Sequence, residues 1–120
     1  MEFVLIRHGD PDYSACVRGG INGQGFGLVP LSEKGLQQAR QVAAHPALAG
    51  AQLVLSSPYT RALQTAAEIV RATGLPLAVE PDLHELMADR SGAPHTRAEM
   101  KQLHQEFLAC RGCWPDGGER

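Results

Sequence analysis

The stretch Phe3-Val4-Leu5-Ile6-Arg7-His8-Gly9-Asp10 decides how the rest of the chain is read. Four apolar residues run without interruption into an arginine, a histidine and a glycine. A short continuous apolar run predicts a strand buried on both faces, as in a parallel sheet. The polar residues then fall at its carboxyl end, where open α/β sheets place their ligand sites. His8 is therefore the first candidate for chemistry, with Arg7 beside it.

Working outward, residues 11–30 lack clean periodicity and contain Gly19, Gly20, Gly23, Gly25 and Gly27. These glycines match neither GxGxxG nor a phosphate-binding P-loop, which needs Gly-Lys-Ser/Thr. The segment reads as a long active-site loop. A helix is expected to open at Leu31-Ser32-Glu33-Lys34-Gly35-Leu36, with Ser32 as N-cap and Glu33 suited to the helix dipole. Leu36, Ala39, Val42 and Ala43 form its apolar face, and Pro46 ends it. Leu53-Val54-Leu55 is a second buried strand, closing at Ser56-Ser57-Pro58.

A second helix follows to about Thr73, with Ser57 as cap, Pro58 in the first turn and Gly74 as the stop. Leu63, Ala66, Ala67, Ile69 and Val70 make its apolar stripe. Arg61 lies in the first turn, where the dipole disfavours a cation, and such a local misfit points towards function. Leu77-Ala78-Val79 is a third strand leading to Glu85. Thr96-Arg97-Ala98-Glu99 is a capping box that starts a helix with Met100, Leu103, Phe107 and Leu108 on one face, ended by Gly112. The order β-loop-α-β-α-β-α predicts an α/β fold: a mostly parallel sheet covered by helices, in one domain spanning residues 1–120.

Composition narrows the function. The 120 residues are 43% hydrophobic and 20% charged, ordinary values for a globular domain. A net charge of −2 argues against a nucleic-acid partner. No apolar run nears the ~20 residues of a membrane span, and no signal-peptide pattern opens the chain, so a cytoplasmic location is expected. Three cysteines, Cys16, Cys110 and Cys113, argue against a disulfide framework. The Cys110-x-x-Cys113 spacing lacks the second ligand pair a zinc site needs, so no metal is expected.

Parallel strands bring Arg7, His8, Arg61 and Glu85 to one edge of the sheet. Two guanidiniums can bind phosphate oxygens bidentately, a neutral imidazole is a nucleophile, and a carboxylic acid can protonate a departing alkoxide. Fixed cations at the phosphate make a metal cofactor unnecessary for charge neutralisation. The set suits phosphoryl transfer through a phosphohistidine.

On these residues the chain resembles the histidine phosphatase superfamily, the phosphoglycerate mutase-like proteins. Arg7-His8-Gly9 after an apolar strand is similar to the family signature. Leu31-Ser32-Glu33-Lys34-Gly35 is similar to its helix start, and Ser56-Ser57-Pro58-Tyr59-Thr60-Arg61-Ala62-Leu63-Gln64-Thr65-Ala66 to its second motif. The resemblance implies a three-layer α/β/α fold, His8 as phosphate acceptor, and Arg7 and Arg61 as its clamp. It implies a phosphate-monoester hydrolase acting on a small phosphorylated metabolite or a phosphoprotein, without a cofactor.

Phosphoglycerate mutase-type phosphotransfer is the enzymatic alternative. Asp10-Pro11 stand where mutase-type members carry Glu and Ser/Thr, and Ser14 stands at the place of a substrate-binding asparagine. The acid motif leaves Glu85 and Asp89 both open. The family's second catalytic histidine, followed by glycine in a late strand, has no counterpart among His45, His84, His95 and His104. Gly117-Gly118-Glu119 resembles the segment before that strand, so the family domain is expected to be incomplete at its C-terminus here. Because that strand lies between the first two, the sheet is expected to be open in its middle. A catalytically impaired, phosphate-binding member is the non-enzymatic alternative.

Overall fold

The computed structural model describes residues 1–14, 27–84 and 97–109. By contacts the chain divides into two compact units, Met1–Tyr13 with Leu28–His84, and Ser14–Gly27 with Glu85–Arg120.

In the first unit, helix α1 spans Glu33–Ala43. It starts where expected, because the Ser32 hydroxyl oxygen accepts the Gly35 N–H at 3.0 Å and satisfies one of the open donors of the first turn. Gly35, Ala39 and Ala43, four residues apart, form its buried row. Leu36 and Val42, expected on the same face, are half-buried. Past the cap at Ala44, a 3₁₀ turn covers Pro46–Leu48, whose Ala47 N–H donates to His45 Nδ1 at 3.1 Å.

Strand β1 (Val54–Ser56) and strand β2 (Leu77–Val79) pair in parallel, with Val54 opposite Leu77 and Ser56 opposite Val79. Helix α2 (Thr60–Thr73) connects them and packs against both β1 and α1. This is a βαβ unit, the connection a parallel pair requires.

Helix α2 starts later than the sequence suggests. Its cap is Tyr59, which makes no side-chain cap bond, while the Ser57 hydroxyl accepts the Tyr59 N–H at 3.3 Å in the preceding turn. A serine before proline is held extended, so Ser57-Pro58 shape the approach and the helical hydrogen bonds begin with Leu63 N–H to Tyr59 O at 2.9 Å. Gly74 ends the helix as expected, at φ 71°, donating to Val70 O at 2.8 Å. Ala66 and Ile69 of the expected stripe are buried, but Ala67 is exposed. The apolar face is narrow because Arg61, Thr65 and Glu68 share it.

The largest correction concerns residues 3–6. They form no strand, and among the described residues no backbone hydrogen bond joins them to another segment. Phe3 is 76% exposed and Leu5 94%. Burial on both faces requires a strand to sit in a ladder, and β1 spends its described pairing on β2 alone. Leu53 and Leu55 are exposed as well.

The chain leaves this segment through Asp10–Asp12 and returns at Pro30–Ser32. Pro11 and Leu31 form an antiparallel bridge, reinforced by Asp12 N–H to Pro30 O (2.8 Å) and Ser32 N–H to Asp10 O (2.9 Å). The expected glycine-rich loop lies between these ends. Its residues 15–26, Cys16 included, are outside the described residues. Val29, near the end of that loop, and Leu31, just after it, join Ala39, Ala43, Ala66 and Ile69 in the buried apolar set.

The second unit is described mainly by helix α3 (Arg97–Ala109), with Glu99 in its first turn and a Gln102–Glu106 side-chain bond at 3.0 Å. Thr96, Gly112, Cys110 and Cys113 lie outside the described residues, as do the side chains of Met100, Leu103 and Phe107. Leu108, expected on the apolar face, is 63% exposed. No described helix is long and apolar enough to cross a membrane.

Candidate active site

Gly9 allows the end of the N-terminal segment to lie against the first turn of α1. A Cβ at Gly9 would collide with the carbonyl oxygen of Gly35 and lie 2.9 Å from its Cα; a Cβ at Gly35 would collide with the carbonyl oxygen of Asp10. These are backbone atoms that cannot swing aside. Both positions therefore need glycine for close approach, which explains a glycine inside a helix despite its low propensity.

Side chains from two helices then fix the segment. Asp10 N–H donates to Gln38 Oε1 at 2.8 Å, and the Ser32 hydroxyl donates to the Asp10 carboxylate at 2.8 Å. Leu31 N–H donates to Gln64 Oε1 at 2.6 Å, and Gly9 N–H to Thr65 Oγ1 at 3.3 Å. Asp10, one of the departures from the mutase-type pattern, here ties the turn to the cap of α1.

His8, half-buried, is held by both ring nitrogens. Nδ1 lies 2.7 Å from Gly9 O. A carbonyl oxygen only accepts, so Nδ1 carries the proton and the neutral ring presents its lone pair at Nε2. The Arg61 Nε–H donates to that lone pair at 3.2 Å. Arg61 is only 2% exposed, among the most buried side chains described, and its guanidinium carbon sits 4.9 Å from the centre of the Tyr59 ring. Stacking on an aromatic face holds a guanidinium plane in place. The result is a nucleophilic nitrogen facing a fixed, desolvated cation at the N-terminus of a helix, which is chemistry for an anion.

The structure brings His8 and Arg61 together across 53 positions of sequence. Arg7 is exposed and makes no described hydrogen bond or ion pair. Exposure alternates along residues 3–8, with 3, 5 and 7 open and 6 and 8 more covered, as extended backbone requires. Ser14 is exposed and belongs to the second unit. Glu85 and Asp89, the two candidate acids, lie outside the described residues. No cluster of metal-ligating side chains occurs among the described residues.

Thr65, Gln64, Gln38 and Tyr59 were assigned no role by the linear order of residues. Thr65 carried a usable signal: it lies one turn after Arg61, and a polar residue on a buried helix face needs a partner.

The sequence pattern of the Histidine phosphatase superfamily (branch 1) matches residues 3–120. GpmB of Enterobacter sp. (strain 638), a candidate phosphoglycerate mutase, is 38% identical over 86 residues, covering 72% of this chain and 38% of the relative. The chain thus spans well under half the length of that relative. Among solved structures, mycobacterial glucosyl-3-phosphoglycerate phosphatase in complex with VO3 superposes with a TM-score of 0.68 at 32% identity, covering 94% of this chain and 54% of that one. A candidate α-ribazole-5′-P phosphatase from Escherichia coli gives 0.63 at 29% identity, with 95% and 56% covered. These neighbours share the α/β architecture described above.

Proposed function

The chain belongs to the histidine phosphatase superfamily, and on that premise we propose that it hydrolyses phosphate monoesters through a phosphohistidine at His8. The observation that carries the reading is the pair of bonds on the His8 ring: Nδ1–H to Gly9 O, and Nε2 facing the buried Arg61. Nε2 attacks phosphorus, the bond from phosphorus to the ester oxygen breaks, and Arg61 turns its N–H groups from the imidazole to the phosphoryl oxygens. Arg7 supplies the second cation of the clamp. Glu85, with Asp89 as the other candidate, gives a proton to the leaving alkoxide. Water then attacks the phosphohistidine and returns a proton to that carboxylate, the P–Nε2 bond breaks, and inorganic phosphate leaves the neutral ring.

The substrate proposed is a small phosphorylated metabolite, in keeping with what the phosphatase neighbours are named for. Ser14 is proposed to contact it. The name of the GpmB relative favours one second reading, transfer of the phosphoryl group to an acceptor hydroxyl instead of water.

The test is a single turnover with a radiolabelled aryl phosphate. An acid-labile label should appear on the wild-type chain, be absent from His8→Ala, and decay to inorganic phosphate. Turnover retained in His8→Ala refutes the reading. Decay of the label onto an added phosphoglycerate in preference to water selects the mutase alternative.

A further inference from the structure

The geometry points to Thr65 as a positioning residue that sets the distance between His8 and Arg61. Its effect on turnover rests on the function proposed above; its effect on the His8 ring does not. Thr65 is 4% exposed, and its single hydroxyl is used in both directions. It donates to Arg61 O at 2.9 Å and accepts the Gly9 N–H at 3.3 Å. Gly9 is also the residue whose carbonyl oxygen holds His8 Nδ1. One oxygen therefore ties Gly9, the residue whose carbonyl fixes the histidine tautomer, to the residue whose guanidinium faces Nε2.

A threonine hydroxyl bonded to the carbonyl one turn back is common in helices, and alone it carries no message. Thr73 shows that ordinary case on the same helix: its hydroxyl donates to Ile69 O at 2.7 Å and accepts from Leu75 N–H at 3.3 Å, both local. Thr65 differs because its second partner lies 56 positions away, at the proposed nucleophile. The other two side-chain acceptors, Gln38 and Gln64, hold Asp10 and Leu31, farther along the chain from His8. Thr65 thus links the backbone of Gly9, next to His8, with that of Arg61.

The experiment compares Thr65→Val, which keeps shape and removes both bonds, with Thr65→Ser, which restores the hydroxyl, and Thr73→Val, which removes an equivalent local pair. Imidazole nitrogen NMR reports the His8 tautomer, and titration with orthovanadate reports the anion site. Thr65→Val should mix the two tautomers at His8 and weaken vanadate binding about 5- to 10-fold, the worth of one lost hydrogen bond. Thr65→Ser and Thr73→Val should match the wild type within about twofold.

Unchanged tautomer and vanadate affinity in Thr65→Val overturn the proposal, as does an equal loss in Thr73→Val. Should Thr65→Val fail to fold, hydrogen exchange of the wild-type Gly9 amide decides. Protection supports the link, and exchange at the rate of an open chain refutes it. A wild type that shows the expected tautomer change on substitution but no vanadate binding or labelling leaves Thr65 its positioning role and removes the phosphatase reading.

Discussion

Gly35→Ala separates two forces with opposite signs. Helix propensity alone predicts that alanine in place of glycine within α1 stabilises the protein, by up to about 1 kcal/mol. The structure predicts the reverse. The new methyl would collide with Asp10 O and stand 2.9 Å from Asp10 N and 3.0 Å from Asp10 C. Asp10 cannot retreat freely, because its carbonyl takes the Ser32 N–H (2.9 Å), its amide is bonded to Gln38 (2.8 Å) and its carboxylate takes the Ser32 hydroxyl (2.8 Å). Losing two or three such bonds costs about 0.5–1.5 kcal/mol each. Subtracting the propensity gain leaves a net destabilisation of roughly 1–3 kcal/mol, a large share of a typical 5–15 kcal/mol. Urea unfolding of wild type and variant, with equal slopes, measures the difference directly. The shift should also move His8 away from Arg61, so vanadate affinity should fall in the same variant. A Gly35→Ala protein as stable as the wild type, or more so, refutes the close packing of the Arg7-His8-Gly9 turn on α1.

Gly74→Ala should cost about 1 kcal/mol, because φ is 71° and an L-residue is disfavoured there; since no atom lies within 4 Å of the added methyl, vanadate affinity should stay at the wild-type value. Ser32→Ala removes the cap of α1 and the bond to the Asp10 carboxylate together, so it should lose about 1–2 kcal/mol in urea unfolding, and a loss below a few tenths would contradict the cap geometry. Leu5→Ser should change stability by less than about 0.5 kcal/mol, as for other exposed sites, since Leu5 is 94% exposed; a loss above 2 kcal/mol would mean that residues 3–6 are buried in a ladder after all.

The elements most legible in the sequence are those whose signals are local. The Ser32 cap, the Gly74 stop and the buried Ala39 and Ala43 of α1 each involve residues within a turn of one another, and each appears where expected. Residues 3–6 show where local signals end. Their composition states that they are built for burial on two faces, but burial depends on a neighbour far away in sequence, which no local pattern specifies. Ser57 is a smaller case: it has the chemistry of a cap, and Pro58 has the φ for a first turn, but the chain uses both for the turn ahead of Tyr59. Likewise Gln38, Gln64 and Thr65 meet partners 28 to 56 residues away, so only the folded chain reveals them.

Arg61 joins these two kinds of information. Its position at the N-terminus of α2 sets a cation against the positive end of the helix, a local cost of about 0.3–1 kcal/mol where exposed. In the structure it is also buried, adding the cost of desolvating a charge. Two unfavourable choices at one residue need a compensating interaction, and the contacts with the Tyr59 ring and His8 Nε2 are part of it. The Nε contact sets the guanidinium at the nitrogen that the proposed reaction uses. A phosphoryl dianion entering there would meet the guanidinium and the helix end together. Arg61→Leu should then abolish vanadate binding, measured by titration, while urea unfolding shows a much smaller proportional loss of stability. A variant that loses both equally would assign Arg61 to packing, and the site would lose its anion.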